Sequence, residues 1–129
     1  MWQTPRVMRF LFVCVGNTCR SQMAEGIARS MGHEAVSAGT HPGATVASHA
    51  LTILHKMDID TSSMKPKSID SIETSGFDYI ISMGCGVSCP HLPIDEDWGL
   101  DDPVGQPLEV YNEVAATITE HLERLSHSS

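Results

Sequence analysis

The chain has 129 residues, 41% of them hydrophobic, and a formal net charge of −8 with only eight Lys plus Arg. That length supports one core and not two, and the composition is ordinary for a globular chain, so one domain over residues 1–129 is expected. The acidic balance argues against nucleic-acid and acidic-membrane partners, which need basic patches, and no apolar run reaches the length of a membrane span.

Arg6 to Val13 reads as a first strand, because the apolar run after Arg6 and Arg9 is too brief for a secretory leader. Without a leader the cytoplasm is the expected compartment, and the four cysteines read as catalytic thiols or a metal site rather than structural disulfides. Ser21 to Met31 reads as a helix with Met23, Ile27 and Met31 on one face and Gly32 as its stop. Glu34 to Ala38 is a second strand ended by Gly39, and Thr40 to Gly43 a turn. Val46 to Met57 is a second helix, with Val46, Ala50, Ile53, Leu54 and Met57 apolar. A polar connection, Asp58 to Lys67, leads to a short helix over Ser68 to Ser75 and a third strand over Phe77 to Met83. Gly84 to Gln106 is irregular and acidic, with a short strand near Leu92–Ile94, and Leu108 to Leu125 is the final helix. Strands alternating with helices predict an α/β fold: a three-layer, flavodoxin-like parallel sheet of about four strands with helices on both faces. Ligands of such sheets bind at the carboxyl ends of the strands. The seven histidines show no ligand spacing and are expected at the surface.

The segment Cys14-Val15-Gly16-Asn17-Thr18-Cys19-Arg20-Ser21 lies at the first strand-to-helix junction. A cysteine, five residues and an arginine at that place suit a thiolate facing a tetrahedral oxyanion. Backbone N–H groups of Val15 to Ser21 and the positive end of the helix favour an anion. The same field favours thiolate over thiol at Cys14, and thiolate is the nucleophile. Arg20 adds a planar fork that matches two oxygens of the ligand. Gly16 lets the backbone approach, Asn17 tolerates the left-handed region, and Ser21 is placed to donate to the Cys14 sulfur. Cys19 reads as a packing residue or a redox neighbour of Cys14, with no essential role.

Two later segments carry chemistry. Cys85 and Cys89, with Gly84 and Gly86 either side of Cys85, stand four residues apart and are able to bridge on a loop. Beside His91 they also read as half of a zinc site, which falls short of four ligands. Asp102, directly before Pro103 in an acidic stretch, reads either as a solvated side chain or as a general acid.

Val13 to Glu25 (VCVGNTCRSQMAE) resembles the phosphate-binding loop of the low-molecular-weight protein tyrosine phosphatases, and more closely that of the arsenate reductases that share their fold. Trp98-Gly99-Leu100-Asp101-Asp102-Pro103-Val104-Gly105 resembles the acid loop of those reductases, with Val104 where the phosphatases carry an aromatic side chain. The resemblance implies Cys14 as nucleophile toward arsenate, Asp102 as general acid, and Cys85 and Cys89 as a disulfide relay emptied by thioredoxin, with no metal or organic cofactor. The relay pair is closer together than is usual in the family. The form Met-Gly-Cys-Gly-x-x-Cys-Pro also resembles relatives that use a low-molecular-weight thiol, so an arsenate–thiol transferase stays open. A tyrosine phosphatase, and a non-catalytic protein holding arsenite or zinc through Cys85, Cys89 and His91, are the other readings. Some relatives bind potassium near residues matching Asn17, Glu25 and Ser37. The lysines of Ser62-Ser63-Met64-Lys65-Pro66-Lys67 imply an ammonium in that ion's place here.

Overall fold

The computed structural model describes residues 7–84 and 93–127. Strand β1 (Arg9–Cys14) is the second of four parallel strands in the order β2-β1-β3-β4, with β2 at Glu34–Gly39, β3 at Tyr79–Ser82 and β4 at Glu96–Asp97. Every residue of β1 after Arg9 is buried, as an apolar strand of a covered parallel sheet should be. Its side chains alternate between two unequal layers. Phe10, Phe12 and Cys14 join the main core with Met23, Ile27, Leu54, Ile118 and Leu122. That core is built from α1 (Arg20–Ser30), α2 (Ser48–Lys56) and α3 (Leu108–His127), which pack on one another. Leu11, Val13 and Ile80 face the other way, under Val36, Ile69, Ile72 and Phe77. Among the described residues this second layer is a single 3-10 turn, Ile69–Ser71, and its flanks. Both faces are therefore covered, one by three α-helices and one by a short helical turn. No described helix is long and apolar enough to cross a membrane.

Four expectations shift, each for a local reason. The second helix starts at Ser48 rather than Val46, because the Ala47 N–H is spent on Thr18 O at 2.7 Å and Ala47 stays extended. The short helix shrinks to Ile69–Ser71, where the Ser68 Oγ accepts from the Asp70 N–H. The strand expected near Leu92–Ile94 forms instead at Glu96–Asp97. Pro93 has no N–H for a ladder, and Asp95 saturates Ile80 by donating its own N–H to the Ile80 carbonyl and accepting the Ile80 N–H on its carboxylate. His33, expected at the surface, is buried: its Nδ1 accepts from the Met8 N–H at 3.1 Å, its Nε2 meets Ser126 Oγ at 2.9 Å, and its ring stands edge-on to Phe10. His121 likewise stacks on Trp98 at 4.6 Å.

Two glycines hold the site's walls in place. A Cβ on Gly39, at the end of β2, would lie 2.5 Å from the Val15 carbonyl oxygen. Gly84, just past β3, has φ +83 and would carry a Cβ 2.6 Å from the Leu100 nitrogen. Each absent side chain lets a neighbouring loop close on the carboxyl end of the sheet.

Candidate active site

The loop from Cys14 to Arg20 joins β1 to α1, and the carbonyls of Cys14 to Cys19 each accept from a donor outside the loop. Thr40, His41, Gly43 and Ala47 N–H groups donate to the carbonyls of Cys14, Val15, Gly16 and Thr18 at 2.7–3.1 Å. The Cys19 carbonyl takes the Met23 N–H, opening α1. The Asn17 carbonyl takes the side-chain amide of Gln22 at 3.1 Å. With those acceptors engaged by groups outside the loop, its backbone is fixed with the Asn17 N–H on the Cys14 sulfur. Helix α1 has no side-chain N-cap, so its first donors also remain available at the positive end of the helix. A concave row of donors beside a helix N-terminus is an anion site.

Cys14 sits at the floor of this concavity and is 3% exposed. Its sulfur receives the Asn17 N–H at 3.1 Å and lies 2.9 Å from Ser21 Oγ. The Asn17 Nδ2 donates to Ser21 Oγ at 2.8 Å, which leaves the single Ser21 hydrogen for Cys14. Two donors thus point at one sulfur. Asn17 achieves this with φ +52, a left-handed conformation that Asn tolerates better than most residues.

Arg20 is 7% exposed and carries two duties. Its Nη1 donates to the carbonyls of Met83 at 3.0 Å and Leu100 at 2.8 Å, tying the end of β3 to the acidic loop. Its Nε is buried with no partner among the described residues, and its Nη2 stands 4.0 Å from Asp102 Oδ2. An unpaired buried donor costs roughly 1–3 kcal/mol, which an oxyanion accepting from Nε and Nη2 would recover.

Asp102 faces the loop across the cavity. Its Oδ1 accepts from the Val104 N–H at 3.0 Å and from the Cys19 thiol at 3.8 Å, so Oδ2 is the oxygen left toward Arg20. Burial, and after it the Asp102 charge, pushes the Cys19 thiol up to about 11. Cys19 is therefore a thiol and a donor near neutral pH, and not a rival nucleophile. The cavity between these groups measures about 560 Å³ and is lined by Cys14, Val15, Gly16, Thr18, Cys19, Arg20, Gly84, Leu100, Asp101, Asp102 and Val104.

Behind the loop lies a buried carboxylate. Glu25 is 1% exposed, accepts from Ser37 Oγ at 2.8 Å, and has Arg29 Nη1 at 3.3 Å and Lys67 Nζ at 3.6 Å. The Asn17 Oδ1 accepts from the Lys67 N–H at 2.9 Å and from Gln22 Nε2 at 3.1 Å. These donors do not fit a potassium ion. Two cations already neutralise Glu25, and the Asn17 oxygen already has two donors.

The expected site residues separate into a lining and a backing. Val15, Gly16, Thr18, Cys19 and Arg20 line the cavity, whereas Asn17 and Ser21 are wholly buried behind it and hold Cys14 in place. Cys85, Cys89 and His91 lie outside the described residues; Gly84, their neighbour in sequence, lines the cavity. Among the described residues no group of three His, Cys, Asp or Glu is placed to hold a metal ion. The sequence reading assigned no part to Gln22, to the segment 40–47 or to the carbonyls of Met83 and Leu100. The 40–47 segment acts through backbone N–H groups, which leave no side-chain signature.

Residues 9–128 match the family model described as low molecular weight phosphotyrosine protein phosphatase. The "Glutaredoxin arsenate reductase" of Synechocystis sp. is 37% identical over 124 residues, covering 91% of this chain and 95% of the relative. The "Arsenate reductase" of Staphylococcus aureus is 36% identical over 113 residues, covering 80% and 84%. A solved structure, an arsenate reductase in the phosphate-binding state, superposes with a TM-score of 0.84 at 36% identity over 92% of this chain and 96% of its own.

Proposed function

The chain belongs to the low molecular weight phosphotyrosine protein phosphatase family, and we propose that within it this enzyme reduces arsenate to arsenite. The observation that carries the reading is Arg20: its Nη1 is committed to two backbone carbonyls, while its buried Nε has no partner among the described residues, in the same loop whose Asn17 and Ser21 meet the Cys14 sulfur. Such a fork fits a small tetrahedral oxyanion. The relatives named for arsenate reduction, at 36–37% identity, direct the choice of anion. The exposed Val104 on the rim offers no aromatic surface to grip a phenyl phosphate.

The Cys14 thiolate attacks the arsenic of arsenate and hydroxide departs, taking the proton of Asp102 to leave as water. Loop N–H groups and Arg20 hold the charge that builds on the arsenate oxygens. Cys85 then attacks the Cys14 sulfur. The sulfur–arsenic bond breaks with its electron pair kept by arsenic, which leaves as arsenite, and a Cys14–Cys85 disulfide forms. Cys89 attacks Cys85, frees Cys14 and moves the disulfide to Cys85–Cys89. A dithiol protein such as thioredoxin supplies the two electrons that reopen it. The cytoplasm, where thiols are kept reduced, is the compartment for this cycle. Lys67 takes the place of a potassium ion, so turnover should not respond to potassium against sodium at equal ionic strength.

The Synechocystis relative's name favours a second route for the later step, in which a small thiol attacks the Cys14 adduct in place of Cys85 and glutaredoxin completes the cycle. One experiment separates the routes. Arsenate turnover is measured with thioredoxin and with small thiols for the wild type and for Cys85→Ser and Cys89→Ser, with mass spectrometry of trapped disulfides. The relay requires both cysteines and a Cys85–Cys89 product. Turnover that survives either change assigns the small-thiol route. Aryl phosphate hydrolysis far faster than arsenate turnover would overturn the reductase reading.

A further inference from the structure

Of the six loop carbonyls from Cys14 to Cys19, five accept a backbone N–H and one, Asn17, does not. Gln22 occupies that gap with a side chain. Its Nε2 hydrogens serve Lys65 O at 2.9 Å and, shared between them, Asn17 O and Asn17 Oδ1 at 3.1 Å each, and the side chain is wholly buried. Its Oε1 is buried with no partner among the described residues. A position chosen for packing alone would favour an apolar side chain over an amide with one orphaned oxygen. The nitrogen, then, is what the position uses.

The use follows from the direction of the hydrogen bonds. Asn17 Oδ1 has donors on it, Gln22 Nε2 and the Lys67 N–H, so the Asn17 amide must turn its Nδ2 to Ser21. Ser21, already accepting, must give its hydrogen to Cys14. If the Asn17 amide turned over, Ser21 would donate to Asn17 and Cys14 would lose a donor. We propose that Gln22 is a positioning residue for the nucleophile: it fixes the Asn17 amide, and through Asn17 and Ser21 it sets the reactivity of the Cys14 sulfur. It does not line the cavity. The inference deepens the proposed function, in which Cys14 is the nucleophile, but its test does not depend on arsenate as substrate.

The test is the alkylation rate of Cys14 by iodoacetamide as a function of pH, followed by tandem mass spectrometry that separates Cys14 from Cys19. Gln22→Met keeps the length and loses the donor. It should slow Cys14 alkylation at pH 7 by about three- to ten-fold, the worth of a net hydrogen bond, and move the profile to higher pH. Gln22→His, which keeps an N–H donor, should restore much of the rate. In a Ser21→Ala background, Gln22→Met should change the rate by less than about twofold, because the path through Ser21 is already cut. Gln22→Glu, which keeps the shape and replaces the donor, is the second variant if Gln22→Met does not fold, and should slow alkylation at least as much. An unchanged rate in the folded single variants, or the same loss with and without Ser21, would overturn the proposal. Loss of arsenate turnover with normal alkylation in the wild type would instead bear on the proposed function alone.

Discussion

The two sides of α1 are equally buried and built from opposite materials. Met23, Ala24, Ile27 and Ala28 enter the apolar core, whereas Ser21, Gln22 and Glu25 back the Cys14 loop, and all seven are buried. Apolar contacts are non-directional, so that side stabilises in proportion to the area and volume it fills. The polar side works only through fixed partners: Ser21 to Cys14, Gln22 to Asn17 and Lys65, Glu25 to Ser37, Arg29 and Lys67. One helix thus carries two separable assignments. Changes on one side should be read in stability, and changes on the other in rate.

The largest expected effect is on the chemical side. Cys14→Ser should lower arsenate turnover by on the order of 10⁴-fold or more, with a melting temperature close to wild type. Asp102→Asn should lower it by roughly 10²- to 10⁴-fold, because the amide keeps the contact with the Val104 N–H but has no proton to give. Its Cys14 alkylation rate should be little changed; a large drop there would mean that the rim and the loop are not separate. Ile27→Ala tests the apolar side, with an expected loss of about 2–5 kcal/mol in urea unfolding and unchanged turnover per folded molecule. A parallel loss of turnover would break the division proposed for α1.

The smallest effect belongs to His33, far from the loop. Burial lowers its proton affinity, and its Nδ1 accepts the Met8 N–H only while unprotonated. The native state therefore binds this proton less readily than the unfolded chain does. The resulting stabilisation is fully present above the unfolded value near pH 6.5 and is lost as pH falls toward the lowered native value. Melting temperatures across pH 5 to 8 for wild type and His33→Asn should diverge below about pH 6.5. Parallel curves would show that His33 does not titrate against folding.

What was legible in the sequence was local. Cys14, Arg20 and Ser21 stand within one loop and helix turn, so spacing alone brings them together. Gln22 was opaque because one of its acceptors, Lys65 O, comes from 43 residues away. His33 looked like a surface residue because a lone histidine carries no spacing signal, and Ser126, which meets its Nε2, lies 93 residues on. Asp102 was found through the Trp98-to-Gly105 motif, yet the part of Cys19 in orienting it needed the fold. The start of α2 was misplaced by two residues because a tertiary bond, Ala47 N–H to Thr18 O, outweighed helical periodicity.

The double tether of Arg20 has an evolutionary consequence. A residue that pins the carbonyls of Met83 and Leu100, and that is proposed also to hold the anion, cannot drift toward a new ligand without loosening the rim. A lineage built on this scaffold can change the shape of the ion that Cys14 first meets only by re-anchoring the ends of two other segments at the same time.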